Sequence, residues 1–392
     1  MGVKGFGKII NTLASSCIEI KEFKDYRGKK AALDWSSVIH KFCIAMVESE
    51  NYESVSGDII CHLFACFYKI CSMLRYGIMP YPVFDGKPPD IKLETLFERR
   101  KVKKEASDKS ISNEISQYEK NKLKKKSFTI SNKQTKEMKH LLTLMGIQYL
   151  EAPEEAEAQC VALNISNKCD NVVTEDWDAV LFGCKKMLKD FSNKTKIVEI
   201  NGEKLLQSLE MTKEQLIDLA SILGNDYCQG IPNIGPMEAL RKFKRANCNM
   251  MTFLNTIKNE RRYSIPLDFI NRWEKAKEYY LHAPVVEPYR LNIFWKKPNF
   301  NQLYEYLVVE KKFNKKSIYK KINELKLMYQ YYSHNKHNLV TFSRIKKELS
   351  PKNNILQQNK YRSLGHTKKI YRRKPFKQKL YSKNILAPMR CV

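Results

Sequence analysis

The chain has 392 residues, 43% of them hydrophobic and 11% aromatic, with 14 each of Gly and Pro. That is enough apolar material for a large core, with room for two typical domains or one large α/β unit. It carries 70 Lys and Arg against 42 Asp and Glu, a net charge of +28, which points to a polyanionic partner and above all to nucleic acid. No apolar run approaches the ~20 residues of a membrane span, so no membrane association is expected.

The N-terminus, MGVKGFGKIINTLASS, lacks the long apolar stretch of a secretory signal, and Phe6 stands where a myristoylation motif needs Ser or Thr. The 11 Cys include no CxxC pair, which argues against a zinc module or a disulfide framework and for a reducing compartment. KKAALDWS (29–36) predicts a buried strand, followed by a helix from Ser37 to about Val47. Residues 58–76 place apolar side chains at helical spacing and predict a core-facing helix. MPYPVFDG (79–86) predicts a second strand ending at an acid. A polar segment at 87–130 follows, with the helix-like pieces KLETLFERRKVKKEA and SNEISQYEKNKLKKK. It is too long for a plain loop and reads as a helical insertion above the sheet edge. QYL (148–150) leads into a helix at EEAEAQCVALNI, NVVTEDWD (171–178) predicts a third strand ending in acids, and TKIVEI (195–200) a fourth.

Strands alternating with helices indicate an α/β fold, a central, mostly parallel sheet flanked by helices. Ligands of such sheets bind beyond the carboxyl ends of the strands. Asp34, Asp85, Asp176 and Asp178 fall at such ends, and with Glu155, Glu157 and Asp226 they form a candidate constellation. Any one acid, taken alone, reads more simply as a helix cap or a solvated charge; their placement at several strand ends in one basic chain favours a shared pocket. Clustered carboxylates need counter-charge, and all-oxygen coordination suits Mg²⁺ or Mn²⁺. Two such ions ~4 Å apart are the machinery of phosphodiester hydrolysis. The i, i+2 pairs Glu155/Glu157 and Asp176/Asp178 would point the same way in an extended or turning backbone. Lys92 and Arg99, two turns apart on one helix face, are candidates to hold a phosphate, with a solvated surface as the alternative.

LGNDYCQGIPNIGPMEALRKF (223–243) reads as helix, Gly-rich turn, helix. Thr212 with Gln215 fits a capping box for the first helix, and Pro236 fits the first turn of the second. Gly230 and Gly235 at such a helix start would present backbone N–H groups to a phosphate. From Arg344 to the end there are 15 Lys and Arg against the single acid Glu348, half the net charge, without apolar periodicity. This stretch reads as a disordered basic tail, with the folded part ending near residue 340.

Six stretches taken together resemble the flap endonucleases of the XPG-like structure-specific 5′ nuclease superfamily. In family order they are MGVKGFGKII, AALDWS, PVFDGKPPDIK, YLEAPEEAEAQCVAL, VVTEDWDAVLFG and LGNDYCQGIPNIGPMEAL. KKPNFNQLYEYLVVEKKF also looks like the segment that follows their nuclease core. The resemblance covers roughly residues 1–330 and implies a PIN-like nuclease fold. It makes Asp34, Asp85, Glu155, Glu157, Asp176, Asp178 and Asp226 the ligands of two Mg²⁺ ions, with Mn²⁺ able to substitute. Lys92 and Arg99 become the residues that contact the scissile phosphate, and Gly2 fits a processed N-terminus close to the metals. Residues 87–130 become a helical arch for a 5′ single strand. The 212–243 region becomes a helix–two-turn–helix holding downstream duplex, with Gly230, Ile234 and Gly235 in its turn and often a K⁺ ion. The implied layout is an N-terminal nuclease region (1–105), the arch, an internal nuclease region (131–260), a C-terminal helical part (261–340) and the tail (341–392).

Three departures stand out. His40 occupies the place of a Tyr that stacks on a substrate base, and imidazole offers less area. The arch carries KNKLKKK, a more basic stretch than the family's usual arch. The clamp-like stretch KHNLVTFS has Lys336 for Gln and Ser343 for the second aromatic, so the motif around Leu339–Phe342 is too degenerate for sliding-clamp binding to be expected. The 70-residue spacing from Asp85 to Glu155 fits flap endonucleases rather than the excision-repair branch, whose insertion is far longer. The expected activity is a Mg²⁺-dependent 5′ flap endonuclease acting on branched DNA in replication, repair or recombination. The alternatives are a 5′→3′ exonuclease of the same superfamily and a catalytically weak DNA-binding scaffold. A monomer is expected, located in the nucleus or at the replication site of a large DNA virus.

Overall fold

The computed structural model describes residues 2–47, 60–110, 116–192, 196–335 and 337–348. Its strands are β1 Ile18–Lys21, β2 Lys30–Asp34, β3 Met79–Phe84, β4 Leu150–Glu151, β5 Asn171–Val173, β6 Lys186–Lys189 and β7 Ile197–Asn201. They form one mixed sheet in the order β1-β7-β6-β5-β2-β3-β4. The ladders β2–β3, β2–β5, β3–β4 and β5–β6 are parallel, while β7 runs antiparallel to both β6 and β1. The α/β class and the mostly parallel centre are as the sequence predicts. β1, β4 and β6 are additions. IEIK and KMLK are short and lack turn signals; β1 is a strand through β7 beside it, and β6 through β7 and β5 on its two sides.

Central parallel strands are covered on both faces and therefore read as continuous apolar runs. In β2, Ala31, Ala32 and Leu33 are buried, and every residue of β3 is buried. Pro80 and Pro82 are tolerated inside β3 because β4 flanks it only at Val83 and Phe84, leaving no ladder on that side for them to break. The helices Trp35–Val47, Cys61–Arg75 and Ala156–Ile165 cover the sheet.

Chain direction locates the site. After β2 the chain moves to β3 on one side; after β5, the other neighbour of β2, it moves to β6 on the opposite side. Right-handed crossovers in opposite directions place their connections on opposite faces and open a crevice at the carboxyl ends of β2 and β5. The acids lie at that switch point.

The insertion is two helices packed on each other, Leu93–Ser110 and Gln117–Ser127. Ser116 and Glu119 form a capping box that starts the second. Phe97 (71% exposed) and Tyr118 (78%) stand on this otherwise charged hairpin. Two compact units divide the chain, Met1–Ile345 and Lys346–Val392. The first runs past the boundary expected at residue 340, because Phe342 and Ile345 are buried in its core. The expected disordered tail lies, from residue 349 on, outside the described residues. Among those described, no helix is long and apolar enough to cross a membrane.

Candidate active site

β2 ends at Asp34, and the first residue after β3 is Asp85. Both follow from strands stiffened by burial on two faces. Asp34 Oδ1 accepts from the Ser37 N–H (3.2 Å), starting the helix Trp35–Val47, and its Oδ2 accepts from the Thr174 hydroxyl (2.9 Å) just past β5. The exposed Asp85 accepts from the Ala156 N–H (3.0 Å), the first residue of the helix that carries Glu157. Of the two backbones the spacing allows, extended or turning, Glu155 and Glu157 have the turning one. Glu155 is extended (φ −81°, ψ 130°) and precedes that helix, whereas Glu157 lies in its first turn. Asp176 and Asp178 likewise straddle a helix start, Asp178–Leu181, rather than pointing together from an extended segment. In each pair, convergence comes from a chain turning into a helix. Asp85, Glu155 and Glu157 bring carboxylate oxygens within 4.8 Å of one another.

The electrostatics are those of like charges gathered away from water. Burial, then the charge of Asp85, pushes Asp34 up to about 7. Burial is the leading cause for Glu155, Glu157, Asp176 and Asp178, which are all raised; the neighbours Asp34 and Asp176 add to it at Glu157, and Asp176 and Asp226 at Asp178. Asp178 Oδ1 is buried without a hydrogen-bond partner. A Cβ on Gly2 (φ 79°) would fall 1.9 Å from Asp176 Oδ1 and 2.6 Å from Asp178 Oδ1. The N-terminal backbone therefore lies against the acids, and only a glycine fits there. A buried orphan oxygen, raised carboxylates and an all-oxygen donor set fit hard divalent cations.

The arch base supplies the counter-charge. Lys92 closes the short 3₁₀ turn Asp90–Lys92 and Arg99 lies on the helix after it, so they do not share one helix, yet both reach the same acid. Lys92 Nζ is 2.5 Å from Glu155 Oε2 and 3.3 Å from Asp226 Oδ2, and Arg99 bonds Asp226 Oδ1. Thr95 donates to the Asp226 carbonyl (2.8 Å). Lys92 Nζ also lies 5.7 Å from the centre of the Tyr227 ring. Tyr227, Tyr279 and Tyr280 form an aromatic wall with 5.0 and 5.1 Å between ring centroids. Burial raises the Tyr280 hydroxyl, and the charges of Asp178 and Asp226 add to it.

Thr95, Thr174 and the tyrosine wall are missing from the sequence reading. Thr174, at the end of NVV, was visible as a polar strand-end residue. Tyr279 and Tyr280 come from the distant helix Phe269–His282 and carried no local signal. Two neighbours of the acids point elsewhere: Glu175 accepts from Lys41 (2.8 Å) and from the Asp190 N–H (3.0 Å), and Trp177 packs edge-on against Phe6 at 5.8 Å. His40 is half-buried, 3.2 Å from the Phe128 carbonyl through Nε2 and 5.5 Å from its ring, at the far end of the arch. Burial lowers its pKa.

The 212–243 region folds as its capping signals predict. Thr212 and Gln215 form the capping box of Lys213–Leu223, and Pro236 opens Pro236–Arg245. Between them Asn225 Oδ1 accepts from the Tyr227 and Cys228 N–H groups (2.9 and 2.8 Å). Gly230 (φ 80°) lies so close to Gly224 that a Cβ would fall 2.5 Å from its nitrogen. Gly235 caps the second helix with open space before it, and Ile234 is half-buried beside it. In the clamp-like stretch, Phe342 is buried, whereas a docking peptide must project its aromatic residues.

Residues 1–106 match the XPG N-terminal domain and residues 146–226 the XPG I-region. The chain is 36% identical over 324 residues to Flap endonuclease 1 of Brugia malayi, covering 80% of this chain and 84% of the relative. It is 32% identical over 325 residues to Flap endonuclease 1 of Homo sapiens, covering 81% and 84%. Among solved structures, flap endonuclease-1 from Methanococcus jannaschii superposes with a TM-score of 0.62 at 25% identity, over 80% of this chain and 96% of that one. The catalytic core of Rad2 in complex with DNA substrate shares the fold, with a TM-score of 0.65 at 24% identity over 83% and 100%. The chain belongs to the flap endonuclease family of XPG-like nucleases.

Proposed function

We propose that this chain is a structure-specific DNA nuclease that cuts near the base of 5′ flaps using divalent cations of the Mg²⁺ class. The observation that carries the reading is the gathering of Asp85, Glu155 and Glu157 within 4.8 Å at the β2/β5 switch point, with Asp226 beside them, against two cations from the base of a helical arch. Asp34, Asp85, Glu155, Glu157, Asp176, Asp178 and Asp226 would hold the ions, which when bound supply an activated water and neutralise the leaving oxygen. Lys92 and Arg99 now neutralise Glu155 and Asp226; a phosphodiester entering between arch and acids is placed to take over both cations. That exchange orients the scissile phosphate, since a substrate without phosphate at this point leaves the cations on the acids. The tyrosine wall excludes water on one side. The turn at 224–235 would grip the duplex through backbone N–H groups, the place where the family resemblance also implies a K⁺ ion.

Cleavage of a 5′-labelled flap duplex tests this reading: cutting near the flap base in Mg²⁺ and none in chelator are expected. Faster degradation of a nicked or recessed end than of the flap would favour the 5′→3′ exonuclease, and binding without turnover in Mg²⁺ or Mn²⁺ would leave only a scaffold.

A further inference from the structure

At the end of the sheet opposite the acids, the starts of β2 and β3 open into a groove of about 810 Å³. Its floor is aromatic: Trp295 packs edge-on against Tyr329 at 5.2 Å, and Tyr332 lies 5.8 Å from Trp295 and 5.0 Å from His337. Trp295 and Tyr332 are buried and brace the floor, while Tyr329 is half-buried and Phe294 is 42% exposed. Lys30, Lys296 and Lys297 stand exposed on its rim, and no carboxylate lines it. The adjacent Asp170 is already held by Lys29 (3.0 Å) and by the Lys30 N–H (2.8 Å). Among the described residues, the three rim lysines form no ion pair.

We propose that this groove is a second nucleic-acid site, one that holds an unpaired single strand. A partly exposed Phe294 and a half-buried Tyr329 beside cations without ion pairs match the two repeating features of such a strand, flat bases and phosphates. Duplex DNA does not fit this chemistry, because paired and stacked bases hide the faces that Phe294 and Tyr329 would meet. An acidic peptide would share the charge but is usually read along a sheet edge or a helix groove. The groove instead faces the ends of two interior strands, where no ladder is open to extension. Lys30 and Asp34 are separated along β2 by about 13 Å at ~3.3 Å per residue, so a base held here is not at the position being cut.

The test uses the full chain in chelator, so it reads binding without cleavage and stands or falls separately from the nuclease reading. A single-stranded oligothymidylate carrying 5-iodouracil is photo-crosslinked, and the adducts are mapped by mass spectrometry. Adducts at Phe294 or Tyr329 are expected. Phe294→Ala should weaken binding of the unlabelled oligomer about tenfold, the effect of losing one stacked base; Lys297→Glu should do the same while keeping the ring, which guards against a folding artefact. Flap cleavage should be unchanged in both variants. Adducts confined to the arch and the C-terminal unit, or unchanged affinity in both variants, would overturn the proposal. So would stronger competition by polyglutamate than by unlabelled oligothymidylate, which would assign the groove to an acidic peptide.

Discussion

One strand, β2, begins at Lys30 on a basic groove and ends at Asp34 in an acidic crevice. The two ends differ in more than sign. At the carboxyl end most of the charges are buried or half-buried and raised, with one oxygen left without a donor, so the metal-free protein holds them at a cost in stability. At the amino end the lysines are exposed, and water solvates them whether or not a ligand is present. The contrast teaches that only the buried end is strained without its ligand. Neutralising one of its acids should change stability and activity in opposite directions, whereas the exposed end should affect binding alone.

The sharpest break of this contrast is Asp178→Asn. Cleavage of a flap substrate should fall at least ~10³-fold, since a metal centre contributes several kcal/mol to the transition state. The same change should raise the unfolding midpoint of the metal-free protein, because it removes a buried charge repelled by Asp176 and Asp226. A variant that lost activity but was also destabilised would show that the carboxylate is structural. Arg99→Ala should lower single-turnover cleavage ~10²-fold, the usual effect of losing one group that stabilises developing charge. Lys92→Ala should do likewise and also lower the unfolding midpoint in chelator, since it leaves Glu155 uncompensated.

Next comes pH. A carboxyl raised in the folded state favours folding below its unfolded value, and that contribution is lost as pH rises through the folded value. With Asp34 at about 7 and its neighbours also raised, the metal-free protein should lose stability between about pH 4 and 7. Mg²⁺ should therefore raise the thermal midpoint more at pH 8 than at pH 5, which thermal unfolding in both buffers would check. Away from the crevice, Gly230→Ala should destabilise the fold by about 1–3 kcal/mol through a positive φ and the contact with Gly224, read by urea unfolding. The smallest expected effect is at His40→Ala. Its ring packs on Phe128 away from the acids, so cleavage should fall only a few-fold and keep its pH profile.

Much of this was legible in one dimension. Apolar runs ending in acids marked β2, β3 and β5, and capping chemistry at Thr212, Gln215 and Pro236 placed the helix–turn–helix to the residue. Less was legible wherever a neighbour decides. β1 exists through β7 and β6 through β5 and β7, and the fold's extension beyond residue 340 comes from Phe342 and Ile345 finding a place in the core. The orientation of Glu155 and Glu157 was read from spacing, but a helix start sets it.

The sequence by itself determined which residues carry charge, where strands end and how helices are capped, because these depend on residue type and on neighbours a few positions away. Only the tertiary structure decided that acids from 34 to 226 share one crevice and that Lys92 and Arg99 reach across to it. It alone backed that crevice with Tyr280 and put lysines and aromatic rings at the other end of the same strands. The order in which strands pair sets those distances, and pairing between segments far apart in the chain is a property of the packed core, which no local pattern carries.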